Sequence, residues 1–179
     1  MSDNPTDEMQ VHGTLLMGFA QACMNLNIVA GANAQRLIAE LEMGKWYPFS
    51  QLRAIEDVVM RSYQNSGPIL VKVGMVMMHN WYQYGPGRSV LKGGASFLHY
   101  QTGSGGYQSV VQGAPEIIGT FDIEFYDRRR GRAVIHSTTP FSKDLERGVL
   151  IGGMSAPGDL DYVDVTAGED SSFLHCEFH

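Results

Sequence analysis

No apolar run in this chain of 179 residues reaches the length a membrane-spanning helix needs, roughly 18 to 20 residues. His12, Gln21, Asn25 and Asn27 interrupt the first apolar stretch, so no membrane span is expected. A basic, then apolar leader is missing too. Met1-Ser2-Asp3-Asn4-Pro5-Thr6-Asp7-Glu8 is acidic and polar, which argues against export and for a cytoplasmic protein. Cysteine is scarce: Cys23 and Cys176 make neither a zinc-spaced set nor a disulfide framework. One sits on an apolar helical face and the other in a strand, and both are expected to be reduced. Positive charge is also short. Lys and Arg number 13 against 19 Asp and Glu, a net charge of -6, which leaves no wide footprint for nucleic acid. There is no Gly-x-Ser-x-Gly elbow, no His-Glu-x-x-His helix and no P-loop, so neither a conventional hydrolase nor a zinc enzyme is indicated, and a non-catalytic role is expected. No Pro-rich or charge-run linker divides the chain, which predicts one domain over residues 1–179.

What is present is punctuated. A first helix, capped by Thr6 or Asp7, carries Val11, Leu15, Phe19, Ala22 and Leu26 on one stripe, and Gly31 with Asn33 breaks it. A second runs from Ala34 to Met43, and Trp46-Tyr47-Pro48 connects it onward. Ser50 caps a third, with Leu52, Ile55, Val58, Val59 and Tyr63 inward and Arg53, Glu56, Asp57 and Arg61 outward. A fourth, Ile69 to Tyr82, is apolar nearly all round and so belongs in the middle of the helical layer. A short fifth helix from Val90 to Tyr100 and a strand from Tyr107 to Gln112 complete the glycine-rich middle.

The last third alternates. Ile117 to Tyr126 places Phe121, Ile123 and Phe125 on one face and Asp122 and Glu124 on the other. The turn at Asp127 to Gly131 leads to a return strand, Arg132 to Ser137, and Thr138-Thr139-Pro140 opens a helix from Phe141 to Met154. Leu160 to Val165 and Ser171 to Phe178 form a closing hairpin. The fold class is therefore α+β: an N-terminal helical layer, about residues 7–100, packed on a C-terminal antiparallel sheet, about residues 107–178.

Several clusters carry potential chemistry. His99, beside Phe97, Leu98 and Tyr100, is either an axial ligand for a heme or a hydrogen-bonded core residue; His79, beside Trp81 and Tyr82, poses the same choice. His175, Glu177 and His179 alternate along the last strand, as one metal-binding face or one solvated face. Arg128 to Arg132 reads as a solvated hairpin tip or an anion site, and Thr102 to Tyr107 as a flexible loop or an anion cradle. Methionine is plentiful, and Met75, Met77 and Met78 suit an adaptable pocket or an ordinary core. If there is a pocket, its expected lining is Met75, Met78, Trp81, Phe97, His99 and Phe121.

The order of punctuation resembles a known superfamily. Val11-His12-Gly13-Thr14, Leu41-Glu42-Met43-Gly44, Tyr47-Pro48, Val73-Gly74-Met75, Gly113-Ala114-Pro115, Glu146-Arg147-Gly148, Gly152-Gly153 and Cys176-Glu177-Phe178 follow one another over nearly the whole chain. They resemble the group that holds the H-NOX heme domains, the four-vinyl-reductase domains and the TRAPP transport subunits, and stand nearest an uncharacterised bacterial family of that fold. The resemblance implies an H-NOX-like ligand-binding fold with a pocket between helices and sheet. H-NOX domains hold the heme propionates with a Tyr-x-Ser-x-Arg run; the matching stretch here, His136-Ser137-Thr138-Thr139-Pro140, has none of the three at those places. Tyr126-x-Arg128-x-Arg130 imitates the run but lies at the hairpin turn. The expected function is a sensory or regulatory module that binds a small apolar or amphipathic molecule. The alternatives are a heme-binding gas sensor using His99 and a ligand-free interaction subunit acting as a homodimer.

Overall fold

The computed structural model describes residues 9–28 and 31–179. Its first element is a strand. Gln10–His12 (β1) pairs on both sides, so Val11, fully buried, belongs to a sheet rather than to a helical stripe. Helix α1 (Gly13–Asn25) starts two residues after the first member of its expected apolar stripe, and its cap is His12, whose Nδ1 accepts from the Thr14 amide. The caps expected at Thr6 and Asp7 lie outside the described residues. Helix α2 (Gly31–Glu40) includes Gly31 and Asn33, which the sequence pattern reads as breakers. The connector Trp46–Pro48 is an edge strand, β2, antiparallel to β1.

Helix α3 (Phe49–Ser62) has Pro48 at its N-cap in place of the expected Ser50. Leu52, Ile55 and Val59 are buried as their spacing requires, but Glu56 is buried as well. Arg53 accompanies it, 3.4 Å away, and also donates to the Pro140 carbonyl at 3.0 Å. Helix α4 (Gly67–Tyr84) begins with Pro68, whose fixed φ suits a first turn. The expected fifth helix is two pieces, α5 (Gly87–Val90) and α6 (Gly94–Thr102), parted at Leu91 to Gly93. The segment expected as one strand is a helical turn, α7 (Tyr107–Val110), followed by a two-residue strand, β3 (Val111–Gln112). Tyr107 turns its ring into the core there, against Phe121 and Phe141. A one-turn helix α8 (Pro115–Ile118) precedes the main sheet.

The C-terminal sheet is built from Phe121–Asp127 (β4), Arg132–Ser137 (β5), Val163–Ala167 (β6) and Phe173–Phe178 (β7), antiparallel in the order β4-β5-β7-β6. Helix α9 (Lys143–Ser155) lies between β5 and β6 in the chain and packs along α4. Simple alternation fails once, in β4. The register shifts between Ile123 and Phe125, so Glu124 is the extra residue of a bulge. Phe121 points inward, whereas Phe125, expected on the same face, is 49% exposed. The core spans both layers: Phe19 and Phe97 from the helices, Leu150 and Met154 from α9, Ile135 and Leu174 from the sheet are all fully buried.

Cys23 and Cys176 are free and buried, and burial pushes both thiols up to about 12. They are expected to resist iodoacetamide in the native state at about pH 8 and to react once urea is added, because the thiolate is the nucleophile. Thermal melts with and without reductant should coincide. Rapid labelling of the folded protein would contradict this.

Candidate functional site

A cavity of about 360 Å³ opens between the helices and the sheet. That is within the size range of small-molecule sites. Each bounding helix turns one face toward it, at helical spacing. Thr14, Leu15 and Gly18 come from α1; Met77, Met78 and Trp81 from α4; Phe97, Tyr100 and Gln101 from α6; Leu145, Glu146 and Val149 from α9. Phe121 of β4 and Phe141 form the sheet side, and Gly105, Gly106, Tyr107, Ser109 and Val110 close the end with Pro86 and His12. The glycines matter at Gly106, where a Cβ would run into the backbone of Gln101. Trp81, Phe97 and Tyr100 touch one another, with ring centroids 5.1 to 6.4 Å apart.

The one fully polar corner is built on Glu146, 6% exposed. Ser137 at the end of β5 lies 2.8 Å from both carboxyl oxygens, and Thr139 donates to Oε1. Lys143 Nζ donates to Oε2 at 2.9 Å, to Ser137 Oγ at 2.7 Å and to the Thr139 carbonyl at 3.4 Å. Thr139, expected to start the helix, therefore serves this carboxyl instead. Burial holds the Glu146 carboxyl above the usual range, against the opposing pull of Lys143 and the two hydroxyls. Tyr107 also sits above its ordinary value, first through burial and then through the negative charge of Glu146. Its hydroxyl donates to the Ile118 carbonyl.

Of the six residues expected to line a pocket, Met78, Trp81, Phe97 and Phe121 border this cavity. Met75 and His99 do not. Met75 lies along the contact with α9, where the missing side chain of Gly152 lets the two backbones approach. His99 is on the opposite face of α6, exposed, with its ring edge against Tyr126 at 4.8 Å. It borders a second groove of about 260 Å³ with Lys92, Ser96, Arg128 and Asp159. The helical phase explains the difference. Phe97, Tyr100 and Gln101 share one side of α6, and a residue two places from Phe97 falls well away from it. His79 is exposed as well. His175 and Glu177 lie on the solvated face of β7, and among the described residues no cluster of three His, Cys, Asp or Glu side chains could hold a metal ion. Arg129 and Arg130 belong to a turn whose amides donate to Asp127 Oδ1. Glu146 borders the cavity from outside the expected lining, although the 145, 146, 149 spacing places it on one face of α9.

A heme can be tested against these walls. The apolar faces of Trp81, Phe97 and Phe121 suit a porphyrin ring, but among the described residues no Arg or Lys lines the cavity, and the carboxyl that does, Glu146, would repel a propionate when ionised. The imidazole that borders it is His12, whose Nδ1 already pairs with the Thr14 hydroxyl at 2.8 Å. Among the described residues the cavity supplies no cationic clamp, so they do not fit a heme whose propionates are held by one.

No protein-family profile matches the chain, and no curated protein matches it. Solved structures do. A variant Tt H-NOX domain superposes with a TM-score of 0.62 at 14% identity, over 93% of this chain and 94% of that one. A structure from work on heme redox potential and protein-induced porphyrin distortion gives 0.60 at 15%, over 93% and 94%. An oxygen-binding H-NOX domain related to soluble guanylate cyclases, solved as its oxygen complex, gives 0.57 at 15%, again over 93% and 94%. The helices-on-sheet arrangement here is an H-NOX fold. No helix among the described residues is long and apolar enough to cross a membrane.

Proposed function

We propose that this chain with an H-NOX fold is a sensory or regulatory module that holds one small, largely apolar molecule between its helices and its sheet. The cavity carries the reading: about 360 Å³, bounded by four helices and made largely apolar by Met77, Met78 and Trp81 of α4, Phe97 of α6 and the rings of Phe121 and Phe141. Binding alone is the proposed activity. The reduced, buried thiols accord with a cytoplasmic setting.

The second reading is a heme-binding gas sensor, and the fold supports it. His99 plays no part in that version, because it faces away from the cavity; His12 takes its place as the nearest imidazole. Purified protein titrated with hemin separates the two. A stoichiometric Soret band that His12→Ala abolishes and His99→Ala leaves intact would establish the heme reading and overturn the first.

Under the proposed reading, organic extraction of freshly purified protein yields a bound small molecule detectable by mass spectrometry. Met78→Trp is expected to fill the cavity and weaken its retention about tenfold or more with little change in thermal stability. A close-packed core would answer the same insertion with a stability loss of about 1 to 3 kcal/mol. That result, together with an empty extract, would sink the reading.

A further inference from the structure

We propose that the groove on the outer side of α6 is a second binding site of this chain and that it takes a small phosphate monoester. The groove, about 260 Å³, is lined by Lys92 from the turn before α6, Ser96 and His99 of α6, Tyr126 of β4, Arg128 of the turn that follows, and Asp159. It shares no lining residue with the central cavity, so it does not depend on what fills that cavity. Local structure fixes where the two cations start. The Ser96 hydroxyl donates to the Gly93 carbonyl at 2.6 Å and accepts from the Lys92 amide at 3.1 Å, which holds the backbone that carries Lys92. Across the groove, Asp127 accepts from the amides of Arg129 and Arg130 at 3.0 and 3.1 Å, which shapes the turn that carries Arg128.

Neither cation is neutralised within the chain. Asp127, the acid next to Arg128, pairs with Arg130 at 3.7 Å, and among the described residues no carboxylate pairs with Lys92 or Arg128. The groove holds one acid, Asp159, but its Oδ1 accepts from the Gly94 amide at 2.8 Å, where the positive end of α6 offsets its charge. Two unpaired positive charges therefore meet in one concavity of a chain whose net charge is -6. An anion in the groove feels the nearer pair, because exposed charges farther than about 8 Å are screened at physiological salt. A phosphate monoester carries about two negative charges at neutral pH and matches both cations, where a carboxylate matches one. The Arg128 guanidinium offers a fork for two phosphate oxygens and Lys92 a point charge for a third. His99 adds a ring N–H, and its contact with the Tyr126 ring at 4.8 Å gives the carbon body of the ester a flank.

Phenyl phosphate, benzoate and benzyl alcohol test this when titrated into the isotope-labelled full chain at about pH 7.5, where the phosphate is doubly charged, and followed by amide chemical shifts. Phenyl phosphate is expected to shift the amides of Lys92, Ser96, His99 and Arg128 and to bind at least about tenfold more tightly than benzoate. Benzyl alcohol, the ring without the charge, should leave those amides unmoved. Lys92→Gln combined with Arg128→Gln should weaken phenyl phosphate about tenfold or more, whereas Arg129→Gln, on the same turn but outside the groove, changes little. The replaced side chains are all exposed, so the variants keep the fold. Absence of shifts at the groove, shifts confined to the central cavity, benzoate binding as tightly as phenyl phosphate, or a double variant that binds like wild type would each overturn the proposal. The same amides report the source of the phosphate. A phosphotyrosine tetrapeptide binding more than about tenfold tighter than phenyl phosphate would point to a modified protein and overturn the small-molecule assignment.

Discussion

Gly148→Ala is expected to cost about 3 kcal/mol or more of stability, the upper range for overpacking a tight site, and to shift the urea midpoint accordingly. Ordinary helix propensity predicts the reverse, because alanine outranks glycine by about 1 kcal/mol in a helix interior. Geometry decides against propensity. A Cβ at Gly148 would overlap the Val71 carbonyl oxygen of α4, and one at Gly74 would come within 2.5 Å of the Leu145 oxygen of α9. Gly152 repeats the pattern one turn later, 2.6 Å from the Met75 backbone. The obstacles are main chain, which cannot swing aside as a side chain can. Gly18→Ala is the matched control. Nothing stands within 4 Å of the added carbon on α1, so that change should stabilise by about 0.5 to 1 kcal/mol. Equal effects at the two sites would show that α4 and α9 are not in backbone contact.

Lys143→Met is expected to destabilise the protein by about 2 kcal/mol at about pH 7, less than for a fully buried pair because the lysine reaches solvent. Its side chain is 24% exposed while that of Glu146 is 8%. The loss should shrink as pH falls toward 5. Glu146 has a folded-state value above the ordinary 4.5 already, through burial, and Lys143 is the first of the groups that oppose this. Removing the ammonium raises the folded value further. Between 4.5 and that value the folded state holds more protons than the unfolded one, so stability declines as pH climbs through the window. Glu56, raised chiefly by burial and opposed by Arg53, gives a slope of the same sign in both proteins. Subtracting wild type from variant therefore isolates Glu146. Urea titrations at about pH 5 and 7 that give the same loss would refute this account of the pair.

Much of the sheet was legible because its residues obey local rules. The return strand Arg132–Ser137 has its predicted limits, and α9 and β7 fall within two residues of theirs. Each is bounded by turn residues and carries a regular period. The misses are non-local. Val11 fits a helical stripe, but its partners Tyr47 and Val111 lie far along the chain and make it a strand. The bulge at Glu124 turns Phe125 outward and cannot be seen in an alternating pattern. The spacing of α3 puts Glu56 toward solvent, since nothing in its own helix announces that the Ser142 backbone will meet it. Within the site, aromatic and methionine content marked Met78, Trp81, Phe97 and Phe121. His99 was chosen for its neighbours in sequence, when its turn around the α6 axis decided where it points.

The glycine seam between α4 and α9 also decides which parts of the cavity can yield. Two helices whose main chains touch cannot slide without breaking that fit, so Met77, Met78, Trp81, Leu145, Glu146 and Val149 form a stiff half of the wall. Helix α6 is pinned to α9 in the same way: a Cβ at Gly94 would run into the Met154 carbonyl oxygen, and Gly153 leaves the room that the Phe97 ring fills. What is left to yield is the end of the cavity, where the short α7 follows Gly103, Gly105 and Gly106. An occupant larger than the cavity would displace that turn and leave the three helices where they stand. The chain is thus built like a purse, with stiff walls and a single soft mouth.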